Sequence, residues 1–420
     1  MQLQGDVLEQ LARLKAEGVK VRTCVTSPPY WGLRAYGTNP QIWANGHALC
    51  VEHEWNTTQI YSDNPIRTSG KEAFSYDIEL KKKQRWRENT ICNKCGAWRG
   101  ELGLEPTPEL YVAHLVQVFR AVRDVLAEDG TLWLNLGDTY HGGGGGNYGS
   151  GLSVASKHNQ HLTNVRNKIE LEGIKPKDLV GIPWRVAFAL QADGWYLRSD
   201  IIWHKPNPVP ESVRDRPTKS HEYIFLLSKS PRYYYDLLAM QELANYDGRK
   251  DTMMKGSARY ANGHAPTSPN TLHVKGHERW AENDNGDKIR NKRSVWSVNT
   301  AQFNLELCQN CNTVFDKKQY RKLAEHIEIV DGIEKKSRIC TCGAWDRWLS
   351  HFATFPPDLI EPCILAGSER GDLVLDPFGG SGTTAEVALK HGRRAILIEL
   401  NPSYVELQKA RLAKVQRVMA

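Results

Sequence analysis

The sequence lacks any apolar run that approaches the roughly 20 residues needed for a membrane-spanning helix. Its first six residues, Met1 to Asp6, also lack the basic and then apolar pattern of a secretory signal. The acidic side chains of Asp6 and Glu9 argue against an organelle transit peptide. We therefore expect no membrane association, and residence in the cytoplasm follows by default.

Disulfide bonds are not expected in such a chain, although nine cysteines are present among the 420 residues. Cysteines paired at short spacing in a long cytoplasmic protein indicate metal ligands instead. Two sets of four have this spacing, with His47 as an alternative to His53 in the first: Cys50, His53, Cys92 and Cys95, and then Cys308, Cys311, Cys340 and Cys342. Closed four-ligand sites are structural, so the sequence predicts two structural Zn²⁺ ions and no metal catalysis.

A strong excess of one charge is missing as well. The net charge is +7, from 55 basic and 48 acidic residues, which is compatible with a polyanionic partner but is weak support for one. The length exceeds that of one usual compact domain, so we expect a large core interrupted by insertions.

Helical and strand patterns alternate along the chain, which predicts an α/β fold with a mixed, mostly parallel sheet flanked by helices. Predicted helices cover Val7–Leu14, Pro108–Leu126, Ile182–Ala192, Asp358–Ala366, Thr383–Lys390 and Tyr404–Val415. Predicted strands cover Val19–Val25, Thr131–Leu136, Trp195–Trp203, His221–Ser228, Leu373–Leu375 and Arg394–Glu399, with a turn at Asp129-Gly130. Gly142–Gly146 is predicted to be a flexible loop, with a lid that becomes ordered on DNA as the alternative.

One predicted strand ends at Asp376 and runs into the glycine-rich turn Pro377-Phe378-Gly379-Gly380-Ser381-Gly382-Thr383-Thr384. Such a strand, turn and helix start is typical of nucleoside-binding sites. Glu399 ends the next strand, where a carboxylate can accept hydrogen bonds from both ribose hydroxyls. The lysine of a phosphate-binding loop is missing, which argues against ATP and GTP as ligands. S-adenosylmethionine fits, because its sulfonium and ammonium groups favour an acidic turn.

A second turn, Thr26-Ser27-Pro28-Pro29-Tyr30, follows the first predicted strand. Two prolines stiffen it and lack amide hydrogens, so the carbonyls of Ser27 and Pro28 can accept hydrogen bonds from a substrate amino group. Tyr30 offers a ring face to a planar base. The carboxyl ends of strands are where open α/β sheets bind ligands, so both turns are candidates for one site.

Residues 25–30 resemble the catalytic motif of the amino-methylating DNA methyltransferases, the cytosine-N4 and adenine-N6 family, and residues 376–384 resemble their cofactor motif. The catalytic motif comes first, which is similar to the beta class. Gly5-Asp6 stands where that class has an acidic residue that contacts the adenine of the cofactor. Residues 351–356, which include Thr354 and Phe355, resemble the segment that closes the cofactor pocket.

The resemblance covers residues 1–45, 101–240 and 351–420, which form three parts of the predicted catalytic core. It implies a Rossmann-like S-adenosylmethionine-dependent methyltransferase fold. It assigns catalysis to Ser27, Pro28, Pro29 and Tyr30. Cofactor binding is assigned to Asp6, Thr354, Phe355, Asp376, Phe378, Gly379, Gly380, Ser381, Gly382, Thr383 and Glu399.

The same resemblance implies double-stranded DNA as the partner, with the target base flipped out of the helix. Residues 46–100 and 301–350 are predicted zinc-ribbon insertions, and residues 241–300 a target-recognition segment. Arg290, Lys292 and Arg293 are the candidate phosphate contacts. A bacterial or phage origin is implied. A cognate restriction endonuclease, the target sequence and the oligomeric state stay open.

The serine at position 27 favours cytosine, because adenine enzymes of the family more often have Asp or Asn there. Adenine N6 is the alternative. Methylation of cytosine carbon 5 needs a cysteine nucleophile, and Pro362-Cys363 is present, but Cys363 shares a helical face with Leu359 and Ile364 and is predicted to be core. Other classes remain, namely a zinc-dependent nucleic-acid-binding module with an inactive methylase core and a methyltransferase acting on RNA or a protein amide.

Overall fold

In this computed structural model the described residues are 1–33, 36, 38–44, 49–59, 86–141, 171–243, 281–282, 288–301, 304–330, 333–346, 348–349 and 355–419. Their helices are α1 (Val7–Ala16), α2 (Pro108–Val125), α3 (Ile182–Ala192), α4 (Lys317–Arg321), α5 (Pro357–Gly367), α6 (Thr383–Lys390) and α7 (Pro402–Met419). Their strands are β1 (Gln2–Gln4), β2 (Val21–Thr26), β3 (Gln41–Trp43), β4 (Trp55–Gln59), β5 (Trp86–Cys92), β6 (Trp98–Gly100), β7 (Leu126–Leu136), β8 (Tyr196–His204), β9 (His221–Ser228), β10 (Gln241–Leu243), β11 (Ala281–Glu282), β12 (Lys288–Asn291), β13 (Val295–Ser297), β14 (Leu305–Cys308), β15 (Val314–Asp316), β16 (Glu325–Val330), β17 (Ile333–Arg338), β18 (Trp348–Leu349), β19 (Leu373–Asp376) and β20 (Arg394–Glu399).

The largest sheet has eight strands in the order β1-β20-β19-β2-β7-β9-β8-β13. Its neighbouring strands run parallel except on both sides of β9, which is antiparallel to β7 and β8. This confirms the predicted mixed, mostly parallel sheet with helices. The central strands are buried on both faces, which explains why they are nearly continuous apolar runs in the sequence.

Side chains alternate between two buried clusters, one on each face of the sheet, because successive strand residues point in opposite directions. Cys24, Leu132 and Leu134 pack with α1, α2 and α3. Val25 and Trp133 pack with α5 and α6. Cys363 of α5 is fully buried in the second cluster, so its predicted place in the core is confirmed.

The predicted turn at Asp129-Gly130 is wrong, because β7 continues through these residues. The pairing of β7 with β2 shifts register here, so residues 127–130 bulge out of an otherwise continuous strand. Arg22 holds the bulge with hydrogen bonds of 2.5 and 2.6 Å to both oxygens of Asp129. Gly130 is needed for close packing, since a Cβ there would lie 2.5 Å from Leu126 Cγ.

Four smaller sheets accompany the large one: β3-β6-β5-β4, β10-β12-β11, β15-β14-β18 and β16-β17. The first carries the Cys92–Cys95 knuckle, and the middle strand of the third, β14, ends in Cys308. β13 belongs to the large sheet, although it lies in the stretch predicted for target recognition. Among the described residues, none of the helices is both long and apolar enough to cross a membrane.

Candidate active site

The two predicted turns leave neighbouring strands at the same edge of the sheet. The proline-rich turn follows β2, the glycine-rich turn follows β19, and these strands pair in parallel with Cys24 opposite Leu375. Their carboxyl ends therefore open side by side, at the edge where α/β sheets bind ligands. The fold brings together two motifs from opposite ends of the sequence, as the predicted site requires.

Asp376 joins the two turns through hydrogen bonds. Its Oδ1 accepts from Thr26 Oγ1 at 2.6 Å and from the Phe378 N–H at 3.1 Å, and its Oδ2 accepts from Thr384 Oγ1 at 2.7 Å. Asp376 is only 2% exposed. Burial raises the pKa of its carboxyl group to about 6, against the opposing effect of these three hydrogen bonds. Asp376 thus organises both turns as well as lining the cleft described below.

Glu399 lies beside the glycine-rich turn at the end of β20. Its Oε2 accepts from the Gly380 N–H and its Oε1 from the Asn401 N–H, both at 2.8 Å. Burial is the main cause that raises the pKa of this carboxyl group to about 7, and the charge of Asp376 adds to the rise. A carboxylate held by two backbone amides keeps further lone pairs for ligand hydroxyls.

The two turns border one open cleft. Ser27 and Pro29 line it together with nine of the predicted cofactor residues: Asp6, Phe355, Asp376, Phe378, Gly379, Gly380, Ser381, Thr383 and Glu399. Gly382 does not line it; with a φ of 83° it begins α6 as the N-cap. Thr354 lies outside the described residues. Pro28, which is buried, and Tyr30 do not line the cleft.

Asp6 reaches the cleft because it caps the first helix. Its Oδ1 accepts hydrogen bonds from the N–H groups of Leu8 at 2.8 Å and Glu9 at 3.1 Å. The Gly5 N–H donates to the carbonyl of Glu399 at 3.0 Å, which fixes this helix start against the cofactor turn. The position agrees with the predicted contact between Asp6 and a cofactor, which stays a prediction.

Tyr30 is held by a polar network that the sequence did not reveal. Its hydroxyl lies 2.8 Å from Glu222 Oε2 and 2.9 Å from Asn135 Oδ1, and Ser27 Oγ donates to it at 3.3 Å. Glu222 also forms an ion pair with Lys205. Burial raises the pKa of Tyr30 well above its ordinary value, and the charge of Glu222 adds to the rise. The phenol therefore stays protonated at neutral pH and donates to an acceptor.

Close packing fixes the rest of the catalytic turn. Gly137 lies under the Tyr30 ring, where a Cβ would come within 2.5 Å of a ring carbon. Tyr111 donates a hydrogen bond of 2.8 Å to the Pro29 carbonyl. In the described part of the chain no backbone N–H donates to the carbonyls of Ser27 and Pro28, as expected for acceptors of a substrate amino group.

The sequence carries only a weak signal for the residues that hold Tyr30. Glu222 is the second residue of β9, just before the apolar run Ile224–Leu227, and Asn135 is a polar residue within the buried strand β7. Because β9 runs antiparallel, its first residues lie at the edge where its neighbours end. Only the strand direction, which the sequence pattern did not give, places Glu222 in the site.

The structure brings together the ligand residues of both predicted metal sites. All four ligand atoms in each set, Cys50, His53, Cys92 and Cys95, and Cys308, Cys311, Cys340 and Cys342, lie within 4.8 Å of one another. The Cys50 and Cys95 sulfurs are 3.4 Å apart, and those of Cys311 and Cys340 are 3.6 Å apart. A tetrahedral ion with Zn–S bonds of about 2.3 Å requires sulfurs about 3.8 Å apart, so both donor sets fit zinc. His53 is the histidine that joins the first set, and His47 lies outside the described residues.

Of the three basic residues predicted to contact DNA, Arg290 lies in β12, and Lys292 and Arg293 lie between β12 and β13. Glu242 Oε1 accepts hydrogen bonds from Arg290 Nε at 2.9 Å and Arg293 Nε at 2.8 Å. Lys292 Nζ lies 5.4 Å from the centre of the Trp296 ring. The Arg293 side chain is 65% exposed and the Arg290 side chain 21%, so Arg293 is the more accessible arginine.

Known proteins are similar to this chain over most of its length. Residues 21–410 match the DNA methylase family N6_N4_Mtase. The chain is 35% identical to the type II methyltransferase M.Cfr9I of Citrobacter freundii, over 97% of this chain and 86% of the relative. It is 34% identical to the type II methyltransferase M.SmaI of Serratia marcescens, over 98% and 89%. A solved PvuII DNA methyltransferase (cytosine-N4-specific) aligns over 99% of this chain and 90% of its own, with 15% identity and a TM-score of 0.46, too slight a likeness to bear on the target base.

Proposed function

The chain belongs to the DNA methylase family N6_N4_Mtase and is a DNA amino-methyltransferase, and we propose that it transfers a methyl group from S-adenosylmethionine to the N4 amino group of cytosine in DNA. One observation carries the proposal. Ser27 and Pro29 of the catalytic turn line the same cleft as the glycine-rich turn, and the two turns are joined by the hydrogen bond between Thr26 and Asp376. A methyl donor and an acceptor amine bound to these turns would therefore be neighbours.

S-adenosylmethionine is supported by the chemistry of the cleft. Its lining includes the carboxyl groups of Asp6, Asp376 and Glu399 and the aromatic rings of Phe355 and Phe378. Carboxylates suit a ligand with two positive groups and two ribose hydroxyls, and aromatic rings suit its adenine. The cofactor supplies an electrophilic methyl group when it is bound.

The catalytic turn would act by positioning the target amine. A base inside the duplex cannot reach the cleft, so it must leave the helix, and stacking on Tyr30 offsets part of the stacking it loses. Ser27 Oγ and the Pro28 carbonyl accept hydrogen bonds from the amine, which frees its lone pair from the ring. An amine held in this way would form its bond to the methyl group as the bond between that methyl group and sulfur breaks, with S-adenosylhomocysteine as the leaving group and the amine proton released to solvent. Orientation supplies much of the acceleration.

Cytosine is proposed over adenine on residue 27 alone. The family resemblance associates serine at this position with cytosine, and Asp or Asn with adenine. An inactive methylase core is disfavoured because Ser27, Asp376 and Glu399 line one cleft and Tyr30 is hydrogen-bonded to Ser27. The RNA and protein-amide alternatives are disfavoured by the family membership alone.

The metal clusters and the basic residues complete the proposal. The two cysteine sets would each hold one structural Zn²⁺, with no ligand position left for substrate. Exposed Arg293, with Arg290 and Lys292, would contact DNA phosphates beside the target-recognition segment. Relatives from Citrobacter freundii and Serratia marcescens support a bacterial origin, and the cytoplasm is the expected location.

One labelling experiment tests the proposal. The protein is incubated with methyl-labelled S-adenosylmethionine and plasmid DNA, and the DNA is digested to nucleosides. We expect label in N4-methylcytosine and none with a Ser27→Ala variant. Label in N6-methyladenine would overturn the choice of base, and DNA binding without any label would revive the inactive-core alternative. Metal analysis should find about two zinc ions per chain.

A further inference from the structure

The cofactor cleft has a wall that neither turn provides. Gln41 and Trp43 of β3 line it, together with Glu101 and Leu102 directly after β6. β3 and β6 pair antiparallel with Trp43 opposite Trp98. One side of the cleft is therefore built by the small sheet that also carries the first metal cluster.

The metal ligands set the position of this wall. Cys92 ends β5, and Cys95 lies in the turn that leads to β6, three residues before Trp98. Within this turn the Cys92 N–H donates to the Ala97 carbonyl at 2.8 Å, and the Gly96 N–H donates to the Cys92 carbonyl at 2.9 Å. Small metal-binding units of this kind obtain much of their folding free energy from the ion. Loss of the ion should therefore loosen the turn before β6 and, through the pairing of the two strands, shift β3.

Two tryptophans dock this sheet on the core. The His114 ring of α2 is stacked between Trp43, with centroids 5.1 Å apart, and Trp98, at 5.4 Å. All three side chains are nearly or fully buried, and His114 Nδ1 is 3.0 Å from Glu105 Oε1. Gln117, one turn further along the helix, donates to the Ala44 carbonyl at 2.6 Å. The sheet is thus an integral part of the core beside the cleft.

The segment that leaves the sheet also rests on the catalytic turn. The Gly32 N–H donates to the Gly103 carbonyl at 2.8 Å, and Trp31 Nε1 donates to the Glu105 carbonyl at 2.9 Å. Gly103 is so close that a Cβ there would lie 3.0 Å from the Tyr30 carbonyl oxygen. The path from the metal ligands therefore reaches both the cofactor wall and the base-binding turn.

From these contacts we propose that the cofactor binds against the first metal-binding sheet, with Gln41 and Glu101 as cofactor-contacting residues, and that its affinity depends on the metal held by Cys50, His53, Cys92 and Cys95. The inference rests on the proposed cofactor. Glu101 adds a carboxyl group to the wall, and S-adenosylmethionine carries two positive groups that such a wall would attract.

The second metal cluster provides a natural control. None of its described residues between 304 and 349 lines the cleft. Leu305 and Leu307 of β14 pack instead against Leu407 and Tyr404 of α7. Tyr404 and Tyr36 line the cleft, and they separate this unit from it. The loss of its metal should weaken cofactor binding far less.

The test compares Cys95→Ser with Cys342→Ser in the full-length protein. Metal content is measured for each, and S-adenosylmethionine affinity is measured by isothermal titration calorimetry without DNA. Each variant should lose about one of two zinc equivalents. We expect the Kd to rise about tenfold or more in Cys95→Ser and less than about threefold in Cys342→Ser. Equal Kd values for wild type and a metal-depleted Cys95→Ser would overturn the dependence on metal.

Two variants that keep the metal guard against simple unfolding. Glu101→Gln and Gln41→Ala should retain two zinc equivalents and wild-type thermal stability, yet raise the Kd by about threefold to tenfold. Wild-type affinity in both would overturn the contact with this wall. A wild-type protein that bound no S-adenosylmethionine would overturn the cofactor assignment itself, which separates the failure of the proposed function from the failure of this inference.

Discussion

The catalytic turn and the cofactor turn border the same cleft but are held in different ways. Tyr30 of the catalytic turn is fixed by side chains from other strands, Glu222 and Asn135. The glycine-rich turn is held mainly through its own backbone groups, with the Gly379 N–H bonded to the Ile398 carbonyl at 2.8 Å and the Gly380 N–H to the Glu399 carboxylate. The difference implies that catalysis and cofactor affinity can be changed separately by mutation.

The largest expected effect comes from mutation of the catalytic turn. Ser27→Ala or Tyr30→Ala should lower the methylation rate by about 100-fold or more, because the target amine loses an acceptor or its stacking partner. The S-adenosylmethionine Kd should stay unchanged. Single-turnover kinetics and calorimetry measure the two quantities.

A matched serine controls for the first prediction. Ser199 lies in β8, and its hydroxyl donates to the carbonyl of its neighbour Asp200. Ser199→Ala should keep full activity. If Ser27→Ala weakened cofactor binding as much as catalysis, the two turns would not be separable as described.

Glu399→Gln tests the difference between the two turns from the cofactor side. The neutral amide keeps the shape but loses the charged acceptor, so the S-adenosylmethionine Kd should rise about tenfold to 100-fold, or about 1.5–3 kcal/mol. The rate at saturating cofactor should change little. Unchanged affinity by calorimetry would remove Glu399 from the cofactor site.

The bond between the turns allows a milder test. Thr26→Val keeps the volume but removes the hydroxyl that donates to Asp376. We expect a loss of about 1–3 kcal/mol in the free energy of unfolding and several-fold changes in both the rate and the Kd. Thr23→Val is the matched control, because Thr23 is as buried on the same strand but bonds to Thr131. It should lose stability in urea titrations and keep the wild-type Kd.

The smallest expected effect is a pH dependence of cofactor affinity. Burial raises the pKa of Asp376 to about 6 and that of Glu399 to about 7 in the cofactor-free protein. A cationic ligand with ribose hydroxyls favours the charged carboxylates, so binding releases protons and the Kd should fall several-fold from about pH 5 to about pH 7. Calorimetry across this range measures the slope, and Glu399→Gln should flatten it. A Kd that rose with pH would contradict the assignment.

The same raised pKa values make the folding stability of the cofactor-free protein fall as the pH rises, whereas cofactor affinity increases. The folded state binds these two protons more tightly than the unfolded chain does, so their contribution is fully present below the ordinary carboxyl pKa values. It is lost as the pH rises towards about 7. Urea titrations of wild type and Glu399→Gln at two pH values isolate the part due to Glu399.

Strong local patterns made much of the core predictable. The predicted α3, α6, β9 and β20 have the observed bounds, because each combines a clear apolar period with a defined start or stop in the sequence. The places of Asp376 and Glu399 in the cleft were also predictable, since each ends a buried strand beside a glycine-rich turn. Local residues alone contain this information.

Features that depend on long-range pairing were not predictable. β1 and β13 have only three residues each, too few for a period to show, and they form because a neighbouring strand offers an edge. The hydrogen bond from Thr26 to Asp376 and the network around Tyr30 require the order and direction of strands. The wall formed by Gln41 and Trp43 was missed because these residues precede the predicted insertion by only a few positions.

The adjacency of β2 and β19 has a consequence for synthesis on the ribosome. Thr26 and Asp376 are separated by 350 positions, so a nascent chain makes the catalytic turn long before its bonding partner exists. At elongation rates of about 5–20 residues per second, this interval lasts about 20–70 s. During that time one edge of β2 has no native neighbour and is open to pairing with another chain. Slow or interrupted translation should therefore lower the yield of this enzyme through aggregation of the nascent polypeptide, and leave the activity of each folded molecule unchanged.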